Sequence, residues 1–430
     1  MGVLQSVARL QDKYKDRIRS CTDDYARMMS LGRCKDSAGV YGWFPFFQAF
    51  TPNFLQKLFR RRELKKARTL ADVFMGSGNS LVACIEFGRV GYGVDISPLF
   101  HFISHVKTSE FASRDFSVAE KTVRRVQGYH GRIDDLKLSS FKKSFGKATL
   151  EELLAIKEAA DKLREKPREL LLFGLASILI DVSKAKRWGK GLHLVPGKRS
   201  VDVRKTLLNK LNRMAQDYAN FIRKGLSFPM IGDARDLSNL RDPATERPVE
   251  IEEQSIDCVV TSPPYCNSSD YIEMYKLEHW LLGFVRNYEE FRCLSHSTLR
   301  SHTNILEGHL TWAHPVVEDI CETLEGKITW TSRVPDMVRG YFDDLRTSLF
   351  EMTRALRPEG HIFLIIGNSC YNRTPIPCDL LVAEVADNVG LELKEIDIVR
   401  QITTSGQQMG SVDGNSRRFL RESIVVLAKG

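Results

Sequence analysis

The 430-residue chain has no apolar run approaching the roughly 20 residues that a membrane-crossing helix needs, so no membrane role is expected. It also has no C-x-x-C pair, and its nine cysteines are odd in number and scattered. That excludes a zinc ribbon and a disulfide framework, and it points to a reducing, cytoplasmic setting, nucleoid-associated if the source is prokaryotic. The cysteines read as small core residues, and no metal site is expected. The start, "MGVLQSVARLQDKYKDR", lacks a long apolar segment of the signal-peptide kind and reads as an amphipathic helix. Its Met-Gly-x-x-x-Ser pattern fits myristoylation, but so short a pattern matches easily by accident, and no basic patch follows closely as a second anchor. Internal repeats and low-complexity segments are absent. The turn at "DVFMGSGNS" lacks the third glycine of the dinucleotide fingerprint and the Gly-Lys-Ser/Thr of a P-loop. This disfavours a nicotinamide cofactor and leaves other nucleoside-containing ligands open.

What is present is apolar content and a localised charge. Hydrophobic residues make up 43% of the chain, ample for one large domain or a domain with an insertion. The formal charge is +9, yet residues 111–230 alone hold 26 Lys and Arg against 13 Asp and Glu. That window is therefore +13, and the remainder sums to −4. Within it, "KAKRWGKGLHLVPGKRSVDVRKTLLNKLNR" (184–213) has ten basic residues and one acidic, with Trp188 and His193 interleaved. A one-sided stripe of this kind suits a polyanion better than a merely solvated face.

Along the chain, residues 1–35 read as helical and polar. "YGWFPFFQAFTPNFLQKLF" (41–59) is dense in aromatics and broken by Pro45 and Pro52, as in a wall for a flat ligand. "LADVFMGSGNSLVACIEFGRVGYGVDISP" (70–98) reads as strand, Gly-Ser-Gly turn, helix and second strand. Residues 106–228 look mostly helical: two helices parted at Pro167, the first with a Thr149–Glu152 capping box, and a third stopped by Gly225. "LLLFGLASILI" is too short to span a bilayer and should be a buried helix. Short strands follow at 230–237 and 255–262, then a helix at 337–356, a buried strand within 357–368, a helix at 380–390 closed by Gly390, and strands at 391–401 and 421–430. Strands alternating with helices imply an α/β, mostly parallel, doubly wound sheet. "TTSGQQMGSVDGNSRRFLRES" (403–423) reads as a solvated loop between the last strands.

Three features carry chemistry. Gly76 and Gly78 allow a tight turn and close approach of backbone to a ligand at a helix start. Asp95 ends the next strand, 17 residues after Gly78, where an acid can accept hydrogen bonds from ribose hydroxyls. Asp233, in "GDARDL", sits where an acid can reach an adenine amino group or can cap a turn. The third feature is "DCVVTSPPY". Pro263 and Pro264 fix the backbone and remove two donors at the carboxyl edge of a strand. What remains is an acceptor-rich cup of Ser262 hydroxyl and carbonyl oxygens, with Tyr265 as a stacking face, suited to a planar group presenting NH2.

On these residues the chain resembles the S-adenosylmethionine-dependent amino-methyltransferases of DNA. "DVFMGSGNSLVA…GYGVDISP" is similar to their cofactor motif and "TSPPY" to their catalytic motif, in the Ser form typical of N4-cytosine enzymes. "YGWFPFFQAFTPNF" resembles, more loosely, the segment that packs on the methionine part of the cofactor. The resemblance covers 41–106 and 230–430 and leaves 107–228 unexplained. It implies a Rossmann-like class I methyltransferase sheet with a mostly helical inserted domain. It further implies S-adenosyl-L-methionine as cofactor, held by Phe50, Thr51, Asp72, Phe74, Gly76, Ser77, Gly78, Asn79, Asp95, Ile96, Ser97, Asp233 and Ala234. Ser262, Pro263, Pro264 and Tyr265 would be catalytic, with Tyr265 stacking on a flipped cytosine. The partners implied are double-stranded DNA and a cognate restriction endonuclease. The alternatives are N6-adenine transfer, an RNA amino-methyltransferase, and a binding protein that kept the fold and lost catalysis. C5-cytosine chemistry is disfavoured: it needs a cysteine directly after a proline, whereas Cys266 follows Tyr265 and Cys378 lies far from the loop.

The implied organisation is an N-terminal helical segment (1–40), a cofactor-binding part (41–106), a basic helical insert (107–228) and a catalytic part (229–430). Only 28 residues separate Asp233 from Ser262, and the chain ends on a core strand, so target reading is expected from the insert. Its candidates for DNA contact are Lys184, Lys186, Arg187, Lys190, Lys198 and Arg199. The segment 286–335, with His296, Arg300 and His302, is the second candidate.

Overall fold

Aliphatic and β-branched runs bounded by Gly, Pro and Asp fold into strands that assemble about a central parallel group. The structure, a computed structural model, describes residues 3–25, 28, 39–131, 139–188, 191–198, 201–243, 245–267, 269–305, 308–327, 329, 331–402 and 419–430. In chain order the strands are β1 (Ile18–Ser20), β2 (Thr69–Asp72), β3 (Val90–Asp95), β4 (Ala185–Trp188), β5 (Gly191–Leu194), β6 (Leu226–Ile231) and β7 (Leu240–Asp242). They continue as β8 (Arg247–Val249), β9 (Ile256–Thr261), β10 (Leu356–Gly367), β11 (Ser369–Tyr371), β12 (Thr374–Ile376), β13 (Leu391–Gln401) and β14 (Arg421–Lys429).

Ten of these form one sheet, in the order β1-β13-β14-β10-β9-β2-β3-β6-β7-β8. From β10 to β6 every neighbouring pair is parallel. β14 runs antiparallel to both β10 and β13, and β1 lies beyond them, parallel to β13. In β10, Ile362 to Ile366 are all fully buried, the continuous apolar run expected of a strand covered on both faces. The expected α/β, mostly parallel sheet is thus present. The chain leaves β2 outward through β3 to β6, then returns to β9 on the other side of β2. The crevice beyond the carboxyl ends of β2 and β9 is therefore the topological switch point, where open α/β sheets bind ligands.

Several expected boundaries move. The first 40 residues are no separate unit: β1 pairs with β13 at the sheet edge, and the helix Val3–Lys13 docks on the helix Pro315–Glu325 through Ser6 Oγ to Asp319 (2.5 Å). The insert starts after the helix Pro98–Thr108 and ends before β6, so residues 107, 108 and 226–228 belong to the sheet domain. It contains the helices Ser113–Arg125, Lys147–Asp161, Glu165–Val182 and Val203–Ala219, but also the hairpin β4–β5, where no strand is expected from the sequence. Its core is continuous with the sheet's, since Phe173, Leu179 and Leu207 share one buried cluster with Trp43, Phe54, Phe100, Tyr275 and Cys258. Thr149 lies inside the first turn of its helix, whose N-cap is Gly146. The helix Val203–Ala219, expected to run to Gly225, stops before it. Gly225 instead passes so close to the Arg89 backbone that a Cβ would lie 2.2 Å from its carbonyl oxygen. Residues 403–418 of the late loop lie outside the described residues. Among the described residues no helix is long and apolar enough to cross a membrane.

Candidate active site

Parallel strands deliver their last residues to one edge. β2 ends at Asp72, β3 at Asp95 and β9 at Thr261, while β6 hands over to Gly232 and Asp233. Together they floor a solvent-open cavity, roofed by the aromatic segment 46–50 and walled by residues of 269–272 and 297–302. Phe50, Asp72, Phe74, Gly76, Ser77, Asn79, Asp95, Ile96, Asp233, Ala234, Ser262, Pro263 and Pro264 all border it. Residues about 200 positions apart in the sequence thus share one crevice.

The turn is built as its glycines require. Gly76 and Gly78 have φ of +49° and +70°, in the left-handed region. A Cβ on Gly76 would lie 2.9 Å from the Phe46 ring, and one on Gly78 would lie 2.5 Å from Ser104 Oγ. Asp95 fastens the turn by accepting the Gly76 amide at Oδ2 and the Ser97 amide at Oδ1, each at 2.9 Å. Each oxygen keeps acceptor capacity for a ligand hydroxyl. Asp72 joins the two halves of the site. It accepts the Thr261 hydroxyl (2.7 Å), the Phe74 amide (3.2 Å) and the Ser80 hydroxyl.

Burial pushes the Asp95 carboxyl up to about 7 and the Asp72 carboxyl up to about 6, against an ordinary value of 3.8. In the fold both therefore hold protons at pH values where the unfolded chain has released them. Their contribution to stability is fully present below the unfolded value and is lost as pH rises through about 6 for Asp72 and about 7 for Asp95. Asp95→Asn should flatten that decline in ligand-free protein, read as denaturation midpoints at about pH 5 and about pH 8. Parallel pH profiles for the variant and the wild type would contradict it.

Asp233 borders the cavity, but Arg235 grips it in a fork (Nε 3.0 Å, a terminal nitrogen 2.6 Å) and also reaches the Ser297 carbonyl (2.8 Å) and Asp344 (3.2 Å). The floor strand and the 297–302 wall are thereby tied together. Phe46 stacks on Tyr275 (centroids 5.4 Å apart, 11° between planes) and on Tyr271 (6.2 Å, 14°), and the Phe47 amide donates to the Tyr275 hydroxyl at 2.7 Å.

Other expected site residues sit elsewhere. Tyr265 does not border the cavity. Its ring is 8% exposed, its hydroxyl donates to the buried Glu422, and it packs so closely on Gly367 that a Cβ there would lie 2.8 Å from the ring. Thr51 is buried as the N-cap of the helix Pro52–Phe59, accepting the Phe54 amide at 3.1 Å. Ser97 is the fully buried N-cap of the helix Pro98–Thr108, and Gly78 lies behind the turn against Ser104. The basic candidates divide as well. Lys184 and Lys186 are exposed. Arg187, its side chain 9% exposed, pairs with the buried Glu278, donates to the Met274 carbonyl (2.9 Å) and lies 4.1 Å over the Tyr275 ring. Lys198 donates to the Ile180 (2.5 Å) and Ala185 (2.9 Å) carbonyls. Arg300 is buried between Asp343 (2.8 Å) and Asp344 (2.7 Å). These three are corrected to structural cations, because each finds a folded acceptor that a count of charges does not reveal. Lys190 and Arg199 lie outside the described residues.

Some site residues escape the sequence reading. Phe46 lies inside the aromatic segment without standing out from its neighbours, and Tyr271 follows the proline turn with no motif of its own. From the sequence His302 is named only within the candidate DNA-contacting segment 286–335; it borders the cavity, is 3% exposed, and neither ring nitrogen has a hydrogen-bond partner among the described residues, with Asp270 3.8 Å away. Burial keeps its pKa below the usual histidine value. Glu422 carries no local signal, since only the pairing of β14 with β10 brings it opposite Gly367.

No family model matches the chain. A type II methyltransferase of Nostoc sp., M.AvaI, is 24% identical over an alignment of 454 positions, covering 98% of this chain and 92% of that protein. The type II methyltransferase M.BsoBI of Geobacillus stearothermophilus is also 24% identical, covering 98% of this chain and 91% of its own length. Among solved structures, the rRNA methyltransferase AviRa from Streptomyces viridochromogenes aligns over 94% of this chain and 95% of its own at 10% identity, with a TM-score of 0.31, too slight to bear on the fold.

Proposed function

We propose that this chain is an S-adenosylmethionine-dependent DNA methyltransferase of the type II restriction–modification kind, transferring methyl to the exocyclic N4 of cytosine in flipped-out bases. The observation that carries the reading is the meeting, in one crevice, of the Gly76–Asp95 turn with the Ser262-Pro263-Pro264 edge. Similarity along nearly the whole chain to named type II methyltransferases supports it. The turn fits the cofactor: Gly76 leaves no room for a side chain against Phe46, and Asp95 keeps lone pairs for ribose hydroxyls. Asp233 and Ala234 would hold the adenine, and Ser77 and Phe50 the methionine end.

When bound, S-adenosylmethionine supplies a methyl group activated by a sulfonium. The chain's own work falls on the acceptor nitrogen, whose lone pair is delocalised into the ring. The Ser262 hydroxyl oxygen and the Pro263 carbonyl accept its two N–H groups and draw them out of the ring plane, restoring lone-pair character. No covalent nucleophile is needed, and positioning with electrostatics does most of the work. Base flipping is the access route that an edge-on clamp requires. With Tyr265 turned inward, the stacked pair Tyr271 and Phe46 is assigned the flat base, beside Phe50 at the methionine end of the cofactor.

The test is transfer of labelled methyl from S-adenosylmethionine to duplex DNA, with RNA as control, followed by analysis of the modified base. N4-methylcytosine is expected. N6-methyladenine would correct the base, label in RNA alone would correct the substrate, and no transfer would reject the reading. DNA contact is assigned to the exposed Lys184 and Lys186. Replacing both with alanine should reduce the slope of log affinity against log salt by about 0.9 per lost phosphate contact, and an unchanged slope would remove the hairpin from the interface.

A further inference from the structure

The helix Pro98–Thr108 is amphipathic in an unusual sense, because its inward face carries a lysine. Lys107 is 1% exposed. Its ammonium donates to the Ser77 carbonyl (2.9 Å), the Tyr41 carbonyl (3.2 Å) and the Asn79 side-chain oxygen. A lysine buried to this degree normally has an acidic partner, yet all three acceptors here are neutral. Burial pushes its pKa well below the usual lysine value, while three acceptors for three N–H groups favour the ammonium.

Ser104 lies three residues earlier on the same helical face and donates to the Gly76 carbonyl at 3.1 Å. Two consecutive carbonyls of the glycine turn are thus taken from the helix side. Within one peptide unit the C=O and N–H point in opposite directions. Holding the Gly76 carbonyl against Ser104 therefore aims the Ser77 amide away from that helix, and Gly76 and Ser77 both border the cavity. Asn79, gripped by Lys107 on its oxygen, donates its NH2 to the Phe50 carbonyl at 2.7 Å. One ammonium thereby sets the turn, the start of the helix Asn79–Glu86 and the aromatic roof.

We infer that Lys107 is a positioning residue for the ligand held by the Gly76–Gly78 turn, with Ser104 as its partner. The role rests on the reading of that ligand as S-adenosylmethionine. It acts through the backbone and through Asn79, and touches neither the methyl group nor the target base.

The test measures binding of S-adenosylhomocysteine by calorimetry, with DNA affinity at fixed salt as the second readout, in wild type, Lys107→Met and Ser104→Ala. Lys107→Met keeps the apolar stem and removes all three donors. Its dissociation constant for S-adenosylhomocysteine should rise by about tenfold or more, which is about 1.4 kcal/mol. In turnover the cofactor KM should rise in parallel, with kcat at saturating cofactor within about threefold and DNA affinity unchanged. Ser104→Ala should move cofactor affinity in the same direction by less. Unchanged cofactor affinity in folded Lys107→Met would overturn the role, as would an equal fall in cofactor and DNA affinity, the mark of a merely structural lysine. Should Lys107→Met fail to fold, unchanged cofactor affinity in Ser104→Ala would overturn it instead. Wild-type protein that binds no S-adenosylhomocysteine would overturn the cofactor reading itself, a result distinct from wild type and Lys107→Met binding alike.

Discussion

Ser262→Ala should lower methyl transfer to duplex DNA by about 10²- to 10³-fold while cofactor affinity stays within about twofold. The size follows from the task assigned to the hydroxyl oxygen, which is one of two acceptors for an amino group that is a poor nucleophile until its protons are drawn aside. The selectivity follows from how the loop is held. Upstream, the Thr261 hydroxyl is fixed to Asp72 at 2.7 Å and β9 is paired on both sides. Downstream, two prolines restrict the backbone. Beyond them Tyr265 is anchored by Glu422, which in turn accepts from Arg400. The Ser262 side chain touches only the last of these restraints, through a hydrogen bond to Tyr265, and the Tyr265–Glu422 bond does not depend on it, so alanine should leave the loop in place and remove one acceptor. Single-turnover label transfer at saturating cofactor separates the two effects. A rate within about threefold of wild type would reject the clamp, and a matching loss of cofactor binding would show that the loop had moved.

Much of this site is legible in the sequence because its punctuation is local. Gly76 and Gly78 mark a left-handed turn whatever surrounds them, and Pro263 and Pro264 must end a strand. The apolar runs before them name β2 and β9, and alternation of strands with helices names the sheet. What is not legible depends on partners distant in the chain. Tyr265 looks like a stacking ring beside the clamp, but Gly367 on β10 offers it a slot and Glu422 on β14 an acceptor. Thr51 and Ser97 read as ligand contacts because they adjoin the motifs, and each serves as the cap of the helix that follows. The same limit explains the basic window. Ten cations in 184–213 look alike as text, and only the fold shows that Arg187 and Lys198 turn inward while Lys184 and Lys186 stay in water. It also shows that the insert shares a hydrophobic core with the sheet domain, which a helical pattern alone cannot reveal.

Arg187→Met should destabilise the protein by about 3–5 kcal/mol, whereas Lys184→Ala and Lys186→Ala should each stay within about 0.5 kcal/mol. All three residues belong to the stripe that suggests DNA contact, so the contrast tests what burial makes of like charges. Arg187 is 9% exposed and pairs with Glu278, whose side chain is 1% exposed. Removing the guanidinium strands a carboxylate in the core, and it frees the Tyr275 ring, which stacks on Phe46 in the cavity roof. Cofactor affinity should therefore fall as well, although Arg187 does not border the cavity. Adding Glu278→Leu should recover most of the lost stability, because an apolar pair of similar volume carries no desolvation cost. Burial already raises the Glu278 carboxyl above its ordinary 4.5, and Arg187 is the group that opposes that rise. Without Arg187 the folded chain holds this proton more tightly than the unfolded chain does. The single variant should thus lose stability as pH rises above the unfolded value, and its deficit against wild type should be larger at about pH 8 than at about pH 5. Denaturation midpoints for wild type, the three single variants and the Arg187→Met/Glu278→Leu double variant decide the matter. A deficit independent of pH, or a double variant no more stable than Arg187→Met, would mean that the ion pair does not join the insert to the site.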